Sequence, residues 1–192
     1  MKNSTSKSEL QTALQKLSKA IPTRSTIPIL SCVLIEAEET GTTLRTTDLE
    51  ITIIVTLPAS VEEEGSSAVP IQKLLSITNE LPEGRITIST DEQNRITIFS
   101  ELGSYDLMGK PVDEFPEPPE IKEKSPLAID SKLLSKIIKT TSFVISADDL
   151  KPAITGLFIK IEEKRLTAVA TDGHRLVRYT INDYKTDKFT GE

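Results

Sequence analysis

The chain has 192 residues, 37% apolar and 27% charged, with a formal net charge of −6. That length can bury a substantial core in one large domain or one and a half ordinary ones, and no apolar run reaches membrane-spanning length. Its single cysteine, Cys32, excludes an intrachain disulfide and a cysteine-built zinc site, and a reducing cytoplasm is the expected compartment.

The opening MKNSTSKSEL has no apolar h-region, so no secretory signal is expected. A first helix is expected over residues 8–20, where Leu10, Ala13, Leu14 and Leu17 share one face at helical spacing. Strands are expected over residues 29–37, 42–47 and 50–57. A second helix, residues 71–81, starts after Pro70 and stops before Pro82-Glu83-Gly84. RITIST and RITIFS alternate apolar and polar residues around Asp91-Glu92-Gln93-Asn94, the signature of a hairpin. A strand over residues 103–108 precedes PVDEFPEPPEIKEKSP, whose prolines and charges suit an irregular edge and linker. Two helices with a largely antiparallel sheet make an α+β unit.

The pattern then restarts. IPILSCVLIEAEETGTTLRTTDLE and KPAITGLFIKIEEKRLTAVATDGH align without a gap at an offset of 124 positions, given by both 152 − 28 for the prolines and 172 − 48 for the aspartates. Upstream, Leu10, Leu14 and Ile21 map onto Leu134, Ile138 and Ile145. A duplicated unit follows, with domains expected at residues 1–124 and 125–192. The second is expected to be only the first half of its unit, which leaves apolar faces uncovered. The chain is therefore expected to be a fragment, or to receive the missing half from elsewhere, and not to close a ring by itself.

Charge is segregated between helices and the rest. The expected helix over residues 131–141, SKLLSKIIKTT, carries Lys132, Lys136 and Lys139 on one side and no acidic residue. Leu134, Ile137, Ile138 and Thr141 fall on the other side. The first helix sets Lys16 and Lys19 against Glu9, and the second balances Lys73 with Glu80. Helices that are basic within an acidic chain suggest a shared surface for an anion. Aromatic residues are only 4% of the chain and tryptophan is absent, so base stacking on single strands is not expected. Sequence-blind contact with a duplex backbone fits better.

The only histidine, His174, lies in AVATDGHRLVRY. Thr-Asp ends the same strand in both copies, so Asp48 and Asp172 are expected to close a turn by accepting backbone N–H groups. The copies then diverge, Leu49-Glu50-Ile51 against Gly173-His174-Arg175. Three readings stay open for the second: a catalytic centre, a structural turn, or a partner-binding groove. Against catalysis, His174 has no second histidine, no nearby cysteine and no Gly-x-Ser-x-Gly turn to work with.

Ile27-Pro28-Ile29-Leu30, Thr47-Asp48-Leu49-Glu50, Val69-Pro70, Leu81-Pro82-Glu83-Gly84, Asp113-Glu114-Phe115-Pro116 and above all Ala170-Thr171-Asp172-Gly173-His174-Arg175-Leu176 resemble the bacterial DNA polymerase III beta subunit (sliding clamp) family. The resemblance implies a DNA-clamp fold and a non-enzymatic processivity factor that needs no cofactor and no metal. Three repeats per chain and two chains, closed head to tail as a homodimer, would encircle double-stranded DNA independently of its sequence. A peptide groove would receive linear motifs of the DNA polymerase III catalytic subunit, the clamp loader and repair polymerases. Its matching positions here are Thr171, Gly173, His174, Arg175 and Leu176, with Ile154 and Lys151 on its wall.

For DNA, the family's first-helix loop contact maps onto Arg24, while Lys73, Lys132, Lys136 and Lys139 follow from the charge argument. Polar Asn3-Ser4-Thr5-Ser6 stands where the family has an apolar first strand, so a weak edge strand is expected. Two rival readings are a two-domain interaction adaptor that does not encircle DNA, and a hydrolase centred on Asp172 and His174.

Overall fold

The chain begins with a polar strand, β1 (Lys2–Ser6), and Ser6 then caps α1 (Lys7–Leu17) by accepting the Glu9 N–H. The computed structural model describes residues 1–22, 25–118, 128–148, 150–184 and 191. Two units separate, Met1–Glu120 and Ile121–Glu192. The boundary expected between residues 124 and 125 lies outside the described residues, as does Arg24. Among the described residues, no helix is long and apolar enough to cross a membrane.

After α1 the first unit runs through β2 (Cys32–Glu38), β3 (Gly41–Thr47), β4 (Thr52–Leu57), β5 (Ser60–Glu63), β6 (Gly65–Pro70) and α2 (Ile71–Glu80). It continues with β7 (Arg85–Thr90), β8 (Arg95–Ser100) and β9 (Gly103–Met108). The fold is α+β, but one sheet was expected and there are two: β5-β1-β7-β8-β9 and β4-β3-β2-β6. Every strand pairing is antiparallel. Leu10, Leu14 and Leu17 of α1, Ile71 and Leu74 of α2, and inward residues of both sheets form one buried cluster.

Three expectations are corrected here. β1 is no weak edge: it lies between β5 and β7, with Asn3, Ser4 and Thr5 at most 7% exposed. Its two buried hydroxyls find partners distant in sequence, while Asn3 Oδ1 has none among the described residues. Ser4 Oγ pairs with Thr87 Oγ1 at 2.7 Å, and Thr5 Oγ1 donates to the Pro58 carbonyl at 2.7 Å. The strand expected from residue 29 starts at Cys32, because Pro28–Ser31 forms a 3₁₀ turn. β5 and β6, which pair with β1 and β2 in different sheets, were not expected at all, since SVEE and GSSAVP lack apolar alternation.

The second unit holds α3 (Ser131–Thr141), β10 (Phe158–Glu162), β11 (Arg165–Thr171) and β12 (Leu176–Asn182), the strands forming one antiparallel sheet. Its elements repeat the first unit's. α3 begins and ends 124 residues after α1 (131 − 7 and 141 − 17), and β11 does so after β3 (165 − 41 and 171 − 47). The 3₁₀ turns Ser18–Ala20 and Ser142–Val144 keep the same offset.

Packing is where the copies part. Leu14 of α1 is fully buried, whereas its counterpart Ile138 is 45% exposed. Among the described residues of this unit, Ile137, Ile161, Leu166 and Ala168 make the buried cluster.

Candidate functional site

The end of β11 is shaped by two short side chains. Thr171 Oγ1 donates to the Arg175 carbonyl at 2.7 Å and accepts the Gly173 N–H at 3.1 Å. Asp172 Oδ1 accepts the N–H groups of His174 at 3.0 Å and Arg175 at 2.9 Å. Gly173 at φ +89° supplies the left-handed residue that this closure needs. The Asp172 backbone N–H donates to the Arg175 carbonyl at 3.4 Å, and β12 then leaves from Leu176.

Arg175 folds back over the turn. Its Nε donates to Asp172 Oδ2 at 2.9 Å and its Nη2 donates to the Phe143 carbonyl at 3.3 Å. The guanidinium carbon lies 5.8 Å from the centre of the Phe143 ring. The N–H bonds from Arg175 and His174, and then the Arg175 side chain, hold the Asp172 carboxyl well below the usual carboxylate range. Both of its oxygens are engaged, so Asp172 is a turn-former and a poor proton acceptor. With both oxygens bound to the backbone and to Arg175, Asp172 is not free to orient the His174 imidazole as a hydrolase built on that pair requires.

Around the turn, His174 and Arg175 are exposed and Leu176 is 62% exposed. Lys151 and Ile154 belong to a loop closed by Ser146 N–H donating to the Ile154 carbonyl at 3.1 Å. Lys151 Nζ reaches Asp148 at 3.7 Å, and Ile154 is half-buried. The loop leads into β10, whose Phe158 pairs with Val169 of β11. It therefore sits at the end of the sheet that carries Thr171. The topology brings Lys151 and Ile154 to the same sheet end as the Thr171–Leu176 turn.

The second candidate surface is α3. Lys132, Lys136 and Lys139 are all exposed and, with Ser131, Ser135 and Thr140, line a shallow depression of about 570 Å³. Lys136 Nζ also lies 5.9 Å from the ring centre of Tyr179 on β12, so one of the three cations leans over an aromatic. Lys73 is exposed on α2 of the first unit. Among the described residues, no group of three or more His, Cys, Asp or Glu side chains could hold a metal ion.

Sequence reasoning missed Phe143 and Tyr179, the aromatic partners of Arg175 and Lys136. A signal for the first exists: at the offset of 124, Phe143 and Arg175 correspond to Lys19 and Ile51, so the pair is confined to the copy whose turn diverges.

The family model of the DNA polymerase III beta subunit N-terminal domain matches residues 1–119, and that of its central domain matches residues 128–188. The chain belongs to the DNA polymerase III beta subunit family. A protein named beta sliding clamp from Halalkalibacterium halodurans is 34% identical over 179 residues, which are 89% of this chain and 47% of that one. Among solved structures, the DNA polymerase sliding clamp from Bacillus subtilis superposes with a TM-score of 0.88 at 30% identity, covering 98% of this chain and 52% of that one. The beta subunit from DNA polymerase of Streptococcus pyogenes gives a TM-score of 0.87 at 32% identity, covering 98% and 52%. The chain thus spans about half the length of these relatives.

Proposed function

We propose that this chain serves as part of a DNA polymerase processivity factor, a ring-shaped sliding clamp that encircles duplex DNA and makes or breaks no bond. The observation that carries this reading is α3, which presents three exposed lysines and no acid in a chain of net charge −6, within a unit repeated at a fixed offset. Phosphate attraction on such helices needs no base readout, and a closed ring needs no tight contact to stay on its track. Lys132, Lys136, Lys139 and Lys73 would face DNA, joined by Arg24.

The Thr171–Leu176 turn supports a groove for linear motifs of polymerases and the clamp loader. Leu176 and Ile154 offer apolar contact, and the backbone and side chains of Gly173, His174 and Arg175 stand beside them, with Lys151 at the rim. A head-to-tail homodimer needs an open edge, and β9 is the outer strand of its sheet, with Tyr105 37% and Met108 64% exposed. The site of action is the bacterial cytoplasm, where the template lies.

The test is topological. Protein loaded by a clamp loader onto nicked circular plasmid is expected to stay bound through gel filtration in high salt, and to be lost once the plasmid is linearised. Equal retention on circle and line would favour an adaptor that does not encircle DNA.

A further inference from the structure

The two copies contain an internal control for the Arg175 constellation. In the first copy the turn closes by the same backbone N–H bonds: Asp48 N–H donates to the Ile51 carbonyl at 3.2 Å, and Asp48 Oδ1 accepts from Glu50 and Ile51 at 3.0 and 2.6 Å. The threonine hydroxyls differ, since Thr47 Oγ1 accepts from the Thr52 hydroxyl where Thr171 Oγ1 donates to the Arg175 carbonyl. Thr47 Oγ1 accepts the Leu49 N–H at 3.0 Å. Lys19 and Ile51 occupy the places of Phe143 and Arg175 there, so no cation–aromatic pair is needed to make this backbone. The pair therefore serves something other than the turn.

Both of its members face solvent. Phe143 is 61% exposed and the Arg175 side chain 63%. An exposed phenylalanine ring gains little by burial, but beside a guanidinium it restricts a long side chain. Arg175 is held on three sides, by the Asp172 carboxylate, the Phe143 carbonyl and the Phe143 ring. A planar donor fork fixed beforehand loses less conformational freedom when a ligand arrives.

We propose that Phe143 is a positioning residue, which orders the Arg175 guanidinium for the peptide groove without touching the peptide itself. The proposal rests on the groove reading above and adds a residue to it. Because the Phe143 carbonyl survives any side-chain change, substituting the ring isolates the aromatic contribution from the backbone bond.

The experiment uses the full chain in four forms, wild type, F143A, F143L and F143Y, together with R175A and F143A/R175A. Two readouts are taken: hydrogen exchange of the Arg175 Nε–H by NMR, and the affinity of a labelled heptapeptide with leucine and phenylalanine anchors and one aspartate. F143A is expected to speed Nε–H exchange and weaken the peptide roughly three- to tenfold, chiefly through faster release. F143Y restores both and F143L restores neither, because leucine has bulk but no π face. In the R175A background, removing the ring costs no further affinity.

Unchanged Nε–H exchange in F143A overturns the proposal, and so does an equal affinity loss with and without Arg175, which makes Phe143 a direct contact. A wild-type chain without peptide affinity overturns the groove reading, and Nε–H exchange alone then decides whether Phe143 positions Arg175.

Discussion

At residues 47–51 and 171–175 the same backbone turn closes twice with different side chains, Thr-Asp-Leu-Glu-Ile and Thr-Asp-Gly-His-Arg. What the two share, a threonine hydroxyl and an aspartate carboxylate catching N–H groups, belongs to the fold. What they do not share is what the proposed peptide groove would use. Leu49 adopts φ +81° in the first copy although a branched side chain is strained there, while Gly173 adopts φ +89° freely. The second copy has relieved that strain and placed a histidine and an ordered arginine beside the bare backbone. The helices repeat the lesson: α1 and α3 have equal spans, yet one stripe is buried and the other half-open.

The largest expected effect sharpens the helix comparison. Leu14→Ala is expected to lower the stability of the first unit by about 3 kcal/mol, while Ile138→Ala at the equivalent place costs about 1 kcal/mol or less. Urea denaturation followed at each unit measures both, and equal losses would mean that α3 is covered like α1. Next in size, Asp48→Ala removes the acceptor of two backbone N–H groups and is expected to cost about 1.5 kcal/mol in the same assay. A value near zero would detach the aspartate from the turn.

Gly173→Ala has room for its Cβ, with nothing within 4 Å, so its expected cost of about 1 kcal/mol is purely conformational. Leu49→Gly is expected to change stability by less than that, the relieved strain offsetting the freer unfolded chain. A melting temperature unmoved by Gly173→Ala would contradict the strain argument.

The smallest effect is on the acid side. A carboxyl whose folded value is depressed stabilises the fold fully above its ordinary value of 3.8, and that contribution is lost as pH falls through the folded value. Carbon NMR of the Asp172 carboxyl is expected to show no titration between pH 7 and about 3. A midpoint at 3.8 would mean that the N–H groups of His174 and Arg175 do not hold it.

Much of this was legible in the residues. The bounds of α3 follow from leucines and lysines at helical spacing, and the offset of 124 predicts the matching helices and strands. β1 was misread because polar residues in an interior strand look like an edge unless their partners, here Thr87 and Pro58, are known. Those partners are distant in sequence, so no local pattern encodes them. The Arg175–Phe143 pair spans 32 positions and was hidden for the same reason. Only the contrast with Lys19 and Ile51 pointed to it.

The central claim is that the basic face of α3 meets the duplex. Photo-crosslinkers placed singly at Lys132, Lys136 or Lys139, and at Arg178 on the sheet face opposite α3, test it on protein loaded onto nicked circular DNA. The account predicts crosslinks to DNA from the three α3 positions and none from Arg178. Crosslinks from Arg178 with silence from α3 would contradict it.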